Sequence, residues 1–241
     1  MHPDASSVSR PGPRNRLLDA LLRDCPDLRG VLARSTERAG VELYQEGAPI
    51  AKLWFPSGGV VSVVVRLRSG ATADAQTIGS EGMVGLPAWY GIGASPDTVV
   101  QQATGEMVSV PASAFREIVA GHERVRRLRD SYAAYCLRFG SQTCVCNAHH
   151  SVKQRLCRWL LTSADRAGTC ELDLTQAMLA EMIGVRRQTA GEILVALHAA
   201  GTIAQGRNRI EIRDPAALEH DACECYGTTR AIYARIVEPL L

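Results

Sequence analysis

The chain has 241 residues, 46% of them hydrophobic and 5% aromatic, with 27 Lys and Arg set against 25 Asp and Glu. That length suits one large or two ordinary domains, and a charged share of 22% with this hydrophobic content excludes a wholly disordered chain. No run of about 18 apolar residues is available to span a membrane, because the longest uncharged run, residues 82–96, is broken by Gly and Pro. The start of the chain is polar and Pro-rich, and the LLDALL that follows is too short for the apolar part of a secretion signal. The eight cysteines are therefore read as reduced thiols of a cytoplasmic protein, not as a disulfide framework.

Residues 1–15 read as a flexible arm, and residues 16–39 as helical, with Leu17, Leu18, Leu21 and Leu22 on one face and Leu28, Val31 and Leu32 after a break at Pro26. Between residues 41 and 110 the texture becomes short β-rich runs (VELY, KLWF, VVSVVVRL, TADAQTI, TVVQQA, EMVSV) separated by turn clusters. Such punctuation predicts a β-barrel or jelly roll. A metalloenzyme of that shape needs clustered His and carboxylate ligands inside it, yet residues 41–110 contain neither His nor Cys. No nucleophile elbow, phosphate-binding loop or dinucleotide glycine motif is present either, so no enzyme is predicted.

Helical texture returns over residues 112–150. Val125, Leu128, Tyr132, Tyr135, Phe139, Gln142 and Cys146 alternate in steps of three and four, a heptad seam of the kind that pairs two copies of a helix. The alternative is that this face packs on the chain's own β unit. A further helix is expected over residues 152–164.

The most informative stretch is LTQAMLAEMIGVRRQTAGEILVALHAAGTIAQGRNRIEIRD. Thr175 suits an N-cap, Met178, Leu179, Met182 and Ile183 form the apolar face of a short helix, and Gly184 supplies the residue a tight turn requires. A second helix then starts near Arg186 and buries Ala190, Ile193, Leu194 and Leu197. This is helix-turn-helix spacing, in which the first turn of the second helix (here Arg186, Arg187, Gln188 and Thr189) reaches base edges in the major groove. Arg pairs bidentately with guanine and Gln with adenine. Two β runs around Gly206–Asn208 form a wing whose Arg207 and Arg209 suit phosphate contacts. From residue 185 to 213 there are five Arg against two Glu, a basic edge hidden in a nearly neutral chain.

Taken together, the β unit, the long helix and LAEMIGVRRQTAGEILVAL with its wing resemble the Crp/Fnr family of bacterial transcription regulators, over roughly residues 17–213. The resemblance implies an α+β chain: a cyclic-nucleotide-binding-like barrel with flanking helices over 16–120, a dimerisation helix over 121–150, and a winged helix-turn-helix with a C-terminal tail over 151–241. It implies a homodimer that regulates transcription by binding a two-fold symmetric double-stranded DNA operator, with RNA polymerase as a further candidate partner and no membrane. By position, Arg187 and Gln188 fall on the family's base-reading residues, while Glu192 stands where cyclic-AMP-responsive members carry an Arg. In the effector pocket, Gly82, Met83, Val84 and Gly85 occupy the family's ribose-binding motif with Met83 in place of its Glu. Asp97, followed by Thr98, replaces the phosphate-binding Arg, so cyclic AMP is not the expected effector and no cofactor is assigned.

Two Cys-x-Cys pairs complete the reading, Cys144 with Cys146 and Cys223 with Cys225. They form a zinc or iron–sulfur site if the tail folds back on the helix end, or redox-sensitive thiols, or merely small buried and exposed side chains. His149 and His150 read as exposed polar residues. The rival to a DNA-binding regulator is a ligand-binding or thiol-redox module whose helix-turn-helix mediates protein contacts.

Overall fold

The computed structural model describes residues 14–241, so the arm expected over 1–15 lies outside the described residues except at its end. There Asn15 is an anchor. It is buried, it caps α1 (Arg16–Asp24) by accepting from the Leu18 N–H at 2.8 Å, and its amide donates to the carbonyls of Pro56 and Gly82 at 2.8 and 2.7 Å. Beyond Pro26 the helical reading fails. Residues 26–31 form a single 3-10 stretch, and Ala33–Glu37 is strand β1. Proline cannot donate into a continuing helix, and the apolar spacing stops at Leu32, leaving ARSTE to pair with a neighbouring strand.

Six further strands follow: β2 (Glu42–Tyr44), β3 (Lys52–Pro56), β4 (Val60–Arg66), β5 (Thr72–Ile78), β6 (Thr98–Ala103) and β7 (Gly105–Pro111), with α2 (Leu86–Trp89) after β5. They make two antiparallel sheets, β1-β7-β3 and β2-β6-β4-β5. Leu53, Phe55, Val108 and Val110 from the first share one core with Val61, Ile78 and Val99 from the second. The jelly-roll expectation holds in outline, but the two sheets face each other without closing into a barrel.

After α3 (Ala112–Val119) comes the long helix α4 (Glu123–His149), followed by α5 (Val152–Ala167). The residues of the heptad run face inward. Val125, Leu128, Tyr132, Tyr135, Phe139 and Cys146 are all buried within the one chain, and Gln142 is half-buried. They are covered by the β unit and by a tail helix, α9 (Cys225–Ile236), whose Tyr233 meets Tyr135 edge-on at 5.1 Å. These residues therefore present no seam to a second chain in this structure. Two Tyr and a Phe in the run are broad rings suited to a sheet and loop surface, whereas helix pairs favour compact aliphatic knobs.

The second core belongs to the winged unit: α5, β8 (Glu171–Leu172), α6 (Gln176–Ile183), α7 (Arg187–Ala199), β9 (Ile203–Gly206), β10 (Arg209–Ile212) and α8 (Pro215–Asp221), with the sheet ordered β8-β10-β9. Capping is explicit. Ser151 and Gln154 form a capping box on α5, and Asp214 caps α8. The tail then crosses back, because Ile232, Tyr233 and Val237 join the first core.

Polar contacts fasten the two units. Arg166 of α5 reaches Glu81 at 3.1 Å and donates to the Tyr135 hydroxyl at 2.9 Å, both charged groups being nearly sealed from solvent. Trp159 Nε1 donates to Asp74 at 2.9 Å, and Thr72 donates to Glu181 at 2.7 Å. Asp74 is half-buried as a residue, but its Oδ1 is sealed away without a partner.

Two predictions follow from these junctions. Arg166→Met leaves Glu81 as an uncompensated buried charge, so urea unfolding should show a loss of about 3–5 kcal/mol, with part recovered in the Glu81→Gln, Arg166→Met double variant. Burial pushes the Asp74 carboxyl above its ordinary value of 3.8 despite the Thr77 and Trp159 hydrogen bonds. A carboxyl raised on folding favours the fold below 3.8, and that contribution is lost as pH rises through the folded value. Asp74→Asn should therefore be more stable than the parent in denaturant melts at pH 7 and lose that advantage as pH falls below 3.8.

Candidate nucleic-acid interface

The helix-turn-helix is built by local signals that agree. Thr175 accepts from the Met178 N–H at 3.0 Å and starts α6, and Gly184 ends it at φ 70°, left-handed backbone that a side chain would strain. Leu179, Ala180, Met182 and Ile183 of α6 are buried with Ala190, Leu194 and Leu197 of α7, so Ala180 and Ala190 allow the two helices to cross closely. Met178 and Ile193 are only partly buried at the margin of this core. Arg186 is the N-cap residue of α7 rather than its first turn.

The consequence is a polar first turn held outward. Arg186, Arg187, Gln188 and Glu192 are exposed and Thr189 is half-buried. Gln188 Nε2 donates to Glu192 Oε1 at 3.0 Å, so two of the residues at the expected base-reading edge are tied to each other in the free protein. Asn208, at φ 57°, turns the wing between β9 and β10 and leaves Arg207 exposed at the tip. Arg209 faces β8 and pairs with Glu171, and Arg213 lies 3.7 Å from Glu211. Arg186, Arg187 and Arg207 form no ion pair among the described residues. A notch of about 250 Å3 between the helix starts and the wing is lined by Thr175, Gln176, Arg187, Arg207 and Arg209. The notch thus gathers Thr175, Arg187, Arg207 and Arg209, with Arg209 already paired to Glu171.

The expected effector residues lie across a larger cavity. A space of about 660 Å3 between the β unit and α4 is lined by Met83, Val84, Gly85 and Asp97, together with Tyr44, Gln76, Tyr132, Cys136 and Leu137. Gly82 and Thr98 fall outside it. Gly82 lies against Tyr132, where a Cβ would come within 2.2 Å of the hydroxyl, and Thr98 pairs with Val64 in the sheet. Among the described residues no Lys or Arg lines the cavity. Burial, with a smaller contribution from Glu46, pushes the Asp97 carboxyl above its usual range.

The cysteine pairs divide. Cys144 is exposed, while Cys146, Cys223 and Cys225 are buried in a small cluster of their own, joined by His150, which is half-buried rather than exposed as expected. On a helix, two residues apart means about 200° of rotation, so Cys144 and Cys146 cannot face one site. Cys223 and Cys225 straddle the start of α9, where the turning chain brings both thiols together.

Residues 154–221 match the Crp-like helix-turn-helix domain family. No curated protein sequence matches the chain. Among solved structures, FixK2 from Bradyrhizobium japonicum superposes with a TM-score of 0.67 at 18% identity, covering 80% of this chain and 98% of that one. The c-di-GMP responsive global regulator CLP from Xanthomonas campestris gives 0.61 at 15%, covering 81% and 97%. TTHB099, a CRP-family transcriptional regulator from Thermus thermophilus, gives 0.56 at 20%, covering 78% and 96%. The chain therefore carries a Crp-like helix-turn-helix domain on the fold of the Crp/Fnr regulators.

Proposed function

We propose that this chain is a sequence-specific DNA-binding transcriptional regulator of the Crp/Fnr type. The observation that carries the reading is the exposed, unpaired Arg187 at the start of α7, facing one notch with the wing-tip Arg207. Arg187, with Gln188 and Glu192, reads base edges in the major groove, and Arg207, Arg209 and the start of α6 at Thr175 hold the phosphates. The Gln188–Glu192 bond must open for both to pair with bases, so recognition includes a side-chain rearrangement at the interface.

The regulator acts as a homodimer whose half-sites lie about one helical turn apart. Its contact face on α4 is not the buried seam but the opposite stripe, where Ala134, Leu137, Ser141, Cys144 and Ala148 are exposed in steps of three and four. Leu137 is 76% exposed and Val145, two turns further along α4, 51%, an apolar cost that a partner helix removes. Leu137 also lines the cavity of the β unit, so an effector there would touch the dimer helix directly. With no cation among its described lining residues, and with Asp97 in its wall, that cavity suits a neutral or apolar ligand and disfavours cyclic AMP. RNA polymerase is a further partner in this reading.

Selection of genomic fragments by the purified chain tests the reading, with a two-fold motif of fixed spacing expected and motif-free binding counting against it. On the selected site, Arg187→Ala should cost about 1–3 kcal/mol and relax specificity at one base position, whereas Arg207→Ala should weaken all sequences alike and flatten the salt dependence by about one unit of slope. Leu137→Glu should turn the dimer into a folded monomer in light scattering. A dimer that survives this change while Tyr135 or Phe139 variants dissociate it would return the interface to the original seam.

A further inference from the structure

His150 and Ser151 link α4 to α5, and the tail doubles back beside that link between α8 and α9. Four donors converge there. The Sγ atoms of Cys146, Cys223 and Cys225 and a ring nitrogen of His150 all lie within 4.8 Å of one another. The two sulfurs of Cys146 and Cys223 are 3.5 Å apart, and Cys225 Sγ is 3.6 Å from His150 Nδ1. A tetrahedral zinc ion, bonded at about 2.3 Å to sulfur and about 2.0–2.1 Å to nitrogen, sets its ligand atoms about 3.5–3.8 Å apart. These two contacts have the length of that tetrahedron's edges.

The surroundings are those of a metal site as well. His150 Nε2 lies 3.1 Å from the Glu224 carboxylate, which fixes the ring so that Nδ1 points inward, as an outer carboxylate does for a metal-bound histidine. Gln142 donates its amide N–H to Cys225 Sγ at 3.0 Å, an outer contact that orients the sulfur. The three cysteines form a buried cluster separate from both main cores, so apolar packing alone does not explain their convergence. Three thiolates, a neutral imidazole and Zn2+ sum to one negative charge. The buried guanidinium of Arg158, whose Nε has no partner, acts electrostatically on Cys146 and offsets it.

From this geometry we infer that Cys146, His150, Cys223 and Cys225 bind a structural zinc ion that pins the tail to the joint between α4 and the winged unit. Binding releases three thiol protons to solvent and involves no change of oxidation state. An iron–sulfur cluster fits less well, since it sets its ligands on different irons and farther apart than these four atoms. A Cys146–Cys223 disulfide would use two of the four residues and leave the Glu224–His150 arrangement without a purpose. The inference does not rest on DNA binding.

The test uses the full chain, reduced, stripped with chelator, then titrated with Co(II) and afterwards with Zn(II). One Co(II) per chain is expected, with thiolate-to-cobalt charge transfer and the intense visible bands of tetrahedral cobalt, displaced by zinc. Three thiols should become unreactive on zinc binding. Cys170→Ser, at an exposed position outside the cluster, should leave every readout unchanged, and Cys223→Ser should abolish the tetrahedral spectrum. Because Cys223→Ser could loosen the tail, His150→Cys serves as the second variant and should keep a tetrahedral spectrum with altered bands. Glu224→Gln should weaken zinc at least about tenfold. A pale six-coordinate cobalt spectrum, Cys223→Ser binding as tightly as the parent, or a Cys146–Cys223 disulfide forming in the presence of zinc would each overturn the assignment.

Discussion

The pairing of Glu81 with Arg166 is the constraint on which the arrangement of this chain turns. Two charges nearly out of solvent cost several kcal/mol each to desolvate, a cost offset only as far as their hydrogen-bonding groups are met, and Arg166 Nη1 has no partner among the described residues. Here Glu81 also accepts from the Gly79 N–H at 3.0 Å. Arg166 donates to Tyr135 and lies over the Phe139 ring at 4.9 Å. Glu81 sits in the turn after β5, Arg166 at the end of α5, and the two rings on α4, so a single interaction fixes three elements from both units. The tail is drawn in as well, because Tyr233 donates to the Glu81 carbonyl at 2.7 Å. A net stability gain from such a pair is not required. What it excludes are the other packings in which one charge is left alone.

That hub also determines where the cavity of the β unit lies. Met83 follows Glu81 by two residues, and its backbone exchanges hydrogen bonds with the Tyr132 hydroxyl at 3.0 and 3.1 Å. Tyr132 is one turn from Tyr135, so the cavity wall, α4 and the Arg166 pair are contiguous. Displacement of the 79–85 turn would have to strain the Tyr132 bonds, the close fit of Gly82 against that ring, or the ion pair itself. Packed interiors do not deform smoothly, and any motion of this turn is therefore shared by the helix that carries the winged unit.

What was legible in the sequence follows the range of each interaction. The cap at Thr175, the left-handed Gly184 and the small Ala180 and Ala190 act within a few residues, and the helix-turn-helix could be read from them residue by residue. Steps of three and four in α4 correctly gave a buried face but could not say what buries it, since the covering helix α9 lies some ninety residues on and its own pattern is not strongly amphipathic. Strand β1 was hidden for a related reason. ARSTE has little apolar alternation, and its strand character comes from a neighbour, β7, about seventy residues away. Closure of the sheets was likewise a long-range property that strand count alone does not fix.

The cysteines show the same limit from the opposite side. Adjacency in sequence made Cys144 and Cys146 a natural pair, yet a helix turns them to opposite sides, while the turn at Cys223–Cys225 keeps its two thiols together. His150 could have been singled out by position alone, because it is where α4 stops and its backbone leaves helical geometry, at ψ 146°. A residue released from the helix at that point can aim at a site that the last helical turn cannot reach. The long helix thus spends its three surfaces on different tasks. One face is buried in its own chain, another is left apolar and open, and its end is drawn toward the tail. All three belong to one continuous helix of 27 residues, so the buried face, the open stripe and the tail contact are held in fixed register with one another.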